Sequence, residues 1–356
     1  MKPPEPVEFS ASELLRWQEA GCRLGPAPSE FYATLFGRFA DDCEGGKHPV
    51  AGLLAHAPMT LNAAPPLRLM GGLHRGVLTG EYPALAAAWP APDGTHAGDL
   101  ERAYEEIQRL VSDPSASLLD ALTRDPQTNE VGRSACLAAG LGQIVAETSL
   151  PVRLFEIGAS AGLNLRLDHY FYSAGSSSWG DPNSPLHFDD TQYVGVPPFH
   201  AAPVIVERRG CDIHPIDGST DVGATTLMSY VWPDQTERIV RLRCALAVAR
   251  TMPVVVDRAS ADDWVTEHVV PRAGTVTVLM HSVMWQYMPA AVQQRVADVV
   301  QARGADATSA APLAVLEFEP SPHAIEMEIA VTVWPSGERS VIARGQGHGP
   351  PVTWLV

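Results

Sequence analysis

The sequence predicts an α/β protein: a mostly parallel sheet that ends in an antiparallel hairpin, preceded by an α-helical amino-terminal part. Three observations carry this. From residue 151 onward, short apolar runs alternate with helical patterns, the rhythm of a parallel sheet covered on both faces. Before residue 151 only helical periods occur, broken by Pro, Gly and Asp loops. Near the carboxyl end, "EIAVTVWPSGERSVIARG" is two β-rich runs around a turn, and "PPVTWLV" reads as a last strand. The expected division is residues 1–150, an α-helical domain, and 151–356, the sheet domain.

In chain order, "DLERAYEEIQRLV" places Leu100, Ala103, Tyr104, Ile107, Leu110 and Val111 on one helical face, with Asp99 as cap. A further helix is expected through "TNEVGRSACLAAGLGQIVAE" from a Thr128 cap. Strands follow in "VRLFEIG", "APVIVERRG", "MPVVVDRA", "GTVTVLMHS" and "PLAVLEFEP". Between them, "DQTERIVRLRCALAVAR" opens with Asp234 and Glu237 at capping-box spacing, and "SADDWVTEHV" has Ser260 and Asp263 likewise. "MPAAVQQRVADVVQARG" puts Pro289 near a first turn and Gly304 past the end. About forty residues separate Asn164 from "APVIV", so an insertion or extra hairpin is expected around "GSSSWGDPNSPLHFDDTQY".

Composition excludes several functions. With 46% hydrophobic residues the 356-residue chain has ample core material, and no stretch has the apolar length of a membrane span. The start "MKPPEPVEF" shows no export signal, so a soluble, cytoplasmic chain is expected. A net charge of −16 repels nucleic acid at long range. Lys2 and Lys47 are the only lysines, so no Walker A loop exists. Five scattered cysteines suit neither a disulfide framework nor a cysteine zinc site, and "CDIHPID" lacks a second cluster, so no metal site is expected.

The chemistry centres on "LFEIGASAGLNL": Glu156, then Gly158-Ala159-Ser160-Ala161-Gly162, then Asn164 at what reads as a helix start. A dinucleotide fingerprint would have a middle glycine, and an acid about twenty residues on. The middle glycine is missing here, and twenty residues on lies "GSSSWGDPN", a loop rather than a second strand end. The E-x-G-x-x-x-G pattern instead resembles the first motif of class I S-adenosylmethionine-dependent methyltransferases, in which a strand-end carboxylate orients the ammonium group. That resemblance implies a Rossmann-like methyltransferase sheet and further cofactor positions. Asp212 would take the ribose, with Asp217 or Glu207 as alternatives. Asp262 or Asp263, with Trp264, would lie near adenine; the alternatives are helix-start acids for the two aspartates and, for Trp264, the core position that tryptophan more often takes.

Taken together, "QTNEVGRS", "FEIGASAGLNL", "GCDIHPID", "SYVWPDQTER" and "HSVMWQYM" resemble the bacterial domain-of-unknown-function family 2332 over nearly the whole chain. That family implies the same fold and no settled activity. His281, at the end of the fourth strand, is the first candidate for a base and Tyr287 the second; a structural histidine is the alternative. Ser282 and Trp285 follow beside it as candidate substrate contacts. Gln127, Asn129, Glu130 and Arg133 are candidates to grip a small polar substrate, Asn129 and Arg133 sharing a helical face, unless they merely cap and pair an ordinary helix. The expectation is a seven-stranded methyltransferase-like sheet capped by the helical domain, transferring methyl from S-adenosylmethionine to a small molecule enclosed between the two. A nicotinamide-dependent oxidoreductase and a non-catalytic binding or sensor protein remain the alternatives.

Overall fold

The structure is a computed structural model and describes residues 7–25, 28–46, 48–321 and 326–356. Both lysines lie outside these. The chain divides into two compact units, Met1–Thr128 with Val222–Val240, and Asn129–Asp221 with Arg241–Val356. The boundary thus falls at residue 128 rather than 150, and a later segment belongs to the first unit.

In chain order the first unit holds α1 (Ala11–Leu24), α2 (Glu30–Gly45), α3 (Pro49–Leu54), α4 (Pro65–Thr79), α5 (Pro83–Ala86), α6 (Leu100–Ser112) and α7 (Ala116–Thr123). The second opens with α8 (Arg133–Thr148), β1 (Val152–Ile157), β2 (Phe171–Ala174), β3 (Ser177–Gly180), β4 (His187–Phe188), β5 (Tyr193–Val194) and β6 (Ile205–Asp212). Next come α9 (Asp221–Ser229) and α10 (Thr236–Thr251), and the division passes through α10. The rest is β7 (Val256–Arg258), α11 (Ala261–His268), β8 (Val276–Ser282), α12 (Ala290–Ala305), β9 (Leu313–Pro320), β10 (Met327–Trp334), β11 (Glu338–Gln346) and β12 (Gly349–Trp354).

The first unit is a helical bundle around Phe31, Tyr32, Phe36, Phe39, Leu73, Trp89, Ile107 and Leu118. Local signals set its helices: a Ser10–Glu13 capping box starts α1, and the Asp99 side chain accepts from Arg102 N at the start of α6, as the sequence predicts. Residues 222–240 complete it. The Tyr230 ring packs on Gly71, where a Cβ would lie 2.4 Å away. Trp232 packs on Tyr32 at 5.9 Å, and Ser29 Oγ donates to Asp234 at 2.8 Å. Asp234 therefore serves the start of α2, not its own helix; the capping box expected there is a long-range contact.

The second unit is built on a nine-stranded sheet, order β5-β12-β11-β10-β9-β8-β1-β6-β7. The pairs from β9 to β7 are all parallel, and β10, β11 and β12 form an antiparallel meander. The sheet is mostly parallel, as expected, with nine strands in place of seven. Period-two alternation sends Phe155 and Ile157 of β1 into the core beside Trp264, Val265 and Val296 of α11 and α12. Glu156 lies in one row with Met280 and Leu316, and Leu316 packs on Gly140 of α8. Helices therefore cover both faces, and Glu156 points to the α8 side.

Several local expectations change. Asn129 and Glu130 precede α8, whose N-cap is Gly132, so Thr128 caps nothing there and Asn129 does not share a helical face with Arg133. The loop after β1 leads to a six-residue 3-10 turn, Asn164–His169, instead of an α-helix. The expected insertion follows as a small sheet of order β3-β2-β4, in which Tyr172 stacks between Trp179 (5.5 Å) and Phe188 (5.3 Å). Ser260 precedes α11 without capping it, because its hydroxyl bonds Asp262. Gly304 lies inside α12, where a Cβ would meet the Trp334 ring at 2.4 Å.

Candidate functional site

In an open α/β sheet, ligands settle outside the carboxyl ends of strands where the strand order reverses. Here that point is β1, whose next parallel neighbours in the chain, β6 and β8, flank it on opposite sides. The loop leaving β1 takes φ values of +67° at Gly158, +52° at Ser160 and +64° at Gly162. Glycine adopts this region without strain, which accounts for two of the three positions. Polar contacts fix the rest of the loop. Ser160 N donates to Asp212 Oδ2 (2.9 Å), and Leu163 N to Asn129 Oδ1 (2.8 Å). Arg166 donates to Ala161 O and Gly162 O, and the Tyr170 hydroxyl donates to Leu163 O.

Inside this frame sits Glu156, 1% exposed. Its Oε2 is buried without a hydrogen-bond partner. Burial pushes the carboxyl well above the usual carboxylate range, and the Asp212 charge adds to this; Arg133 and the Asn164 amide oppose it. An unpartnered buried carboxyl oxygen costs about 1–3 kcal/mol, more when charged. The neighbouring polar groups are fixed in place: Ser134 Oγ donates to Asn164 Oδ1 (2.7 Å), and Arg133 donates to Ser282 O (2.9 Å) and Gly347 O (3.1 Å). A positive charge brought beside Glu156 would remove the cost of ionising it.

At the end of β8, alternation turns His281 to the α12 side, opposite to Glu156. His281 Nδ1 lies 2.8 Å from Glu319 Oε1, and Trp285 stacks on the imidazole at 5.1 Å. Val283 takes φ +49°, a rare conformation for a β-branched residue and costly by about 1–3 kcal/mol. The same loop carries Met284 over Gly158, where a Cβ would lie 2.9 Å from it. Strain and buried polar groups thus collect at the carboxyl ends of β1, β8 and β9.

A family described as an uncharacterized protein conserved in bacteria, DUF2332, matches residues 13–354. The chain belongs to the DUF2332 family. No curated protein and no solved structure matches it. Among the described residues of this DUF2332 protein, no helix is long and apolar enough to cross a membrane, and no group of three or more His, Cys, Asp and Glu could hold a metal ion.

In this family member the structure gathers Glu156, Gly158, Ala159, Ser160, Gly162, Asn164, Asn129, Arg133, Asp212 and Ser282 around the β1 loop. Asp212 holds backbone there, accepting from Ser160 N and His214 N. Glu130 accepts from Gly132 N and shapes the start of α8. Gln127 belongs to the first unit. The adenine candidates are occupied otherwise: Asp262 pairs with Arg295, Asp263 is exposed, and Trp264 is a core ring that packs edge-on to Phe155 and donates to Asp257. Tyr287 is 59% exposed, while Trp285 covers His281. Arg166, Tyr170 and Glu319 were missed. The acids Glu317 and Glu319, two apart at the end of a buried strand, were the available signal for Glu319; nothing marked Arg166 as buried.

Proposed function

We propose that the β1 loop binds S-adenosylmethionine and that the protein is a methyltransferase acting on a small molecule. One observation carries the reading: a buried carboxyl with one oxygen unpartnered at the end of β1, where the strand order reverses, beside a loop with left-handed glycines. A carboxyl in that position fits a cationic head group. Glu156 would take the ammonium group, and Gly158 and Gly162 would let the backbone approach the methionine part. Asp212, at the end of β6 beside the loop, would take the ribose. The bound cofactor would supply an electrophilic methyl group.

The burial of Glu156 gives this reading a signature. Burial holds its carboxyl above the usual carboxylate range, and an ammonium partner favours the ionised form, so binding should be coupled to proton release. Calorimetric titration with S-adenosylhomocysteine, repeated in buffers of different ionisation enthalpy, should show that release. Glu156→Gln keeps the shape and removes the charge, and should weaken binding about 10- to 100-fold, the worth of a charged hydrogen bond. It is a better probe than a bulky residue at Gly158, which would collide with Met284. No binding to folded protein, or equal binding by Glu156→Gln, would sink the reading. Binding without turnover on any acceptor would indicate a sensor.

A further inference from the structure

The pair His281–Glu319 has a feature that loop support alone does not require. Glu319 Oε1 faces three nitrogens: Met284 N (3.2 Å), Trp285 N (3.3 Å) and His281 Nδ1 (2.8 Å). An oxygen that accepts two backbone N–H groups has no proton to give, so Nδ1 must carry the hydrogen. The neutral ring is thereby fixed with Nε2 as its basic atom, and among the described residues Nε2 has no hydrogen-bond partner. Glu319 Oε2 is likewise buried and unpartnered. Trp285 fixes the ring plane, and Met284, one residue earlier, lies on the glycine loop.

We propose that His281 and Glu319 form a proton-accepting dyad, Glu319 positioning the ring and Nε2 taking the proton of a hydroxyl or amine acceptor. The assignment of that proton rests on the methyltransferase reading. The acceptor's O–H or N–H bond breaks toward Nε2 as its lone pair bonds the methyl carbon, and the electron pair of the broken C–S bond stays on sulfur. The acceptor class is then a group too weakly acidic to lose its proton unaided; a thiolate or a carboxylate would need no such base.

The dyad can be tested without knowing the acceptor. Nitrogen NMR of the full-length protein, labelled in its histidines, reports the tautomer. Diethyl pyrocarbonate followed by peptide mass spectrometry reports how reactive each imidazole is. Wild-type His281 is expected in the Nδ1–H form and to be modified. Glu319→Gln retains an acceptor for the Met284 and Trp285 amides, so the loop persists, yet modification of His281 should slow roughly tenfold for want of the charge. Glu319→Ala should also mix the tautomers. An Nε2–H ring in the wild type, no modification of His281, or equal rates in wild type and Glu319→Gln would overturn the dyad. Titration of the same proteins with S-adenosylhomocysteine decides the cofactor reading separately. It should bind wild type and Glu319→Gln alike; absence of binding to wild type removes the methyl acceptor as the source of the proton and leaves the dyad to the other two measurements.

Discussion

Two buried ionisable residues, one in each unit, respond to pH with opposite signs. Burial raises the folded-state value of Glu156, so the unfolded chain gives up its proton first. Stability is therefore lost as pH rises above the ordinary carboxylate range. Glu156→Gln should remove that loss and raise the thermal midpoint at pH 7 by a few degrees, with the gap closing toward pH 4; a lower midpoint at pH 7 would show that the carboxyl is paired and charged. His74 is the reverse case. Burial lowers it from 6.5 to about 4, with its ring beside Ser229 O. The unfolded state takes up the proton first, so stability falls as pH drops from about 6.5 toward 4, by about 3 kcal/mol at most for a shift of this size. Replacing His74 with Asn should flatten that acid limb in a pH series of thermal melts.

Among the elements, the glycine loop shows how a site is held from outside its own segment. Its conformation was legible in "EIGASAG", because glycines at both ends of a strand-exit turn mark left-handed backbone. Its supports were not. Asn129 was read as one side of a helix, but it sits before α8 and accepts from Leu163 N. Glu319 reaches His281 across the β8–β9 pairing, two residues beyond Glu317, the direct partner, and that register does not exist in the linear pattern. Loss of the Asn129 acceptor leaves a buried N–H unpaired. Asn129→Ala should cost about 1–3 kcal/mol and speed hydrogen exchange at residues 158–163, whereas Asn129→Asp, which keeps an oxygen there, should restore most of the protection. Unchanged exchange in Asn129→Ala would mean that Arg166 and Tyr170 suffice.

Across the whole molecule, the change of rhythm at residue 151 predicted the α/β class and its antiparallel finish correctly, yet misplaced the boundary. The stretch 222–240 reads as one more crossover helix in an alternating series. Its membership of the helical bundle comes from Tyr230 on Gly71, Trp232 on Tyr32 and Asp234 at Ser29, contacts between residues more than 150 positions apart. A fragment of residues 1–150 should consequently lack a cooperative thermal transition. Residues 1–128 joined to 222–240 by a flexible linker should regain one, with near-ultraviolet circular dichroism from the Trp89 and Trp232 environments. A cooperative melt of the 1–150 fragment by itself would show the returning segment to be dispensable.

That return also sets a timetable for synthesis. The bundle begins at the amino terminus but cannot close until residues 222–240 have left the ribosome, roughly 110 residues after residue 128. At about 5–20 residues per second this is a wait of about 6–22 s, during which the apolar surfaces awaiting Tyr230 and Trp232 stay open to chaperones.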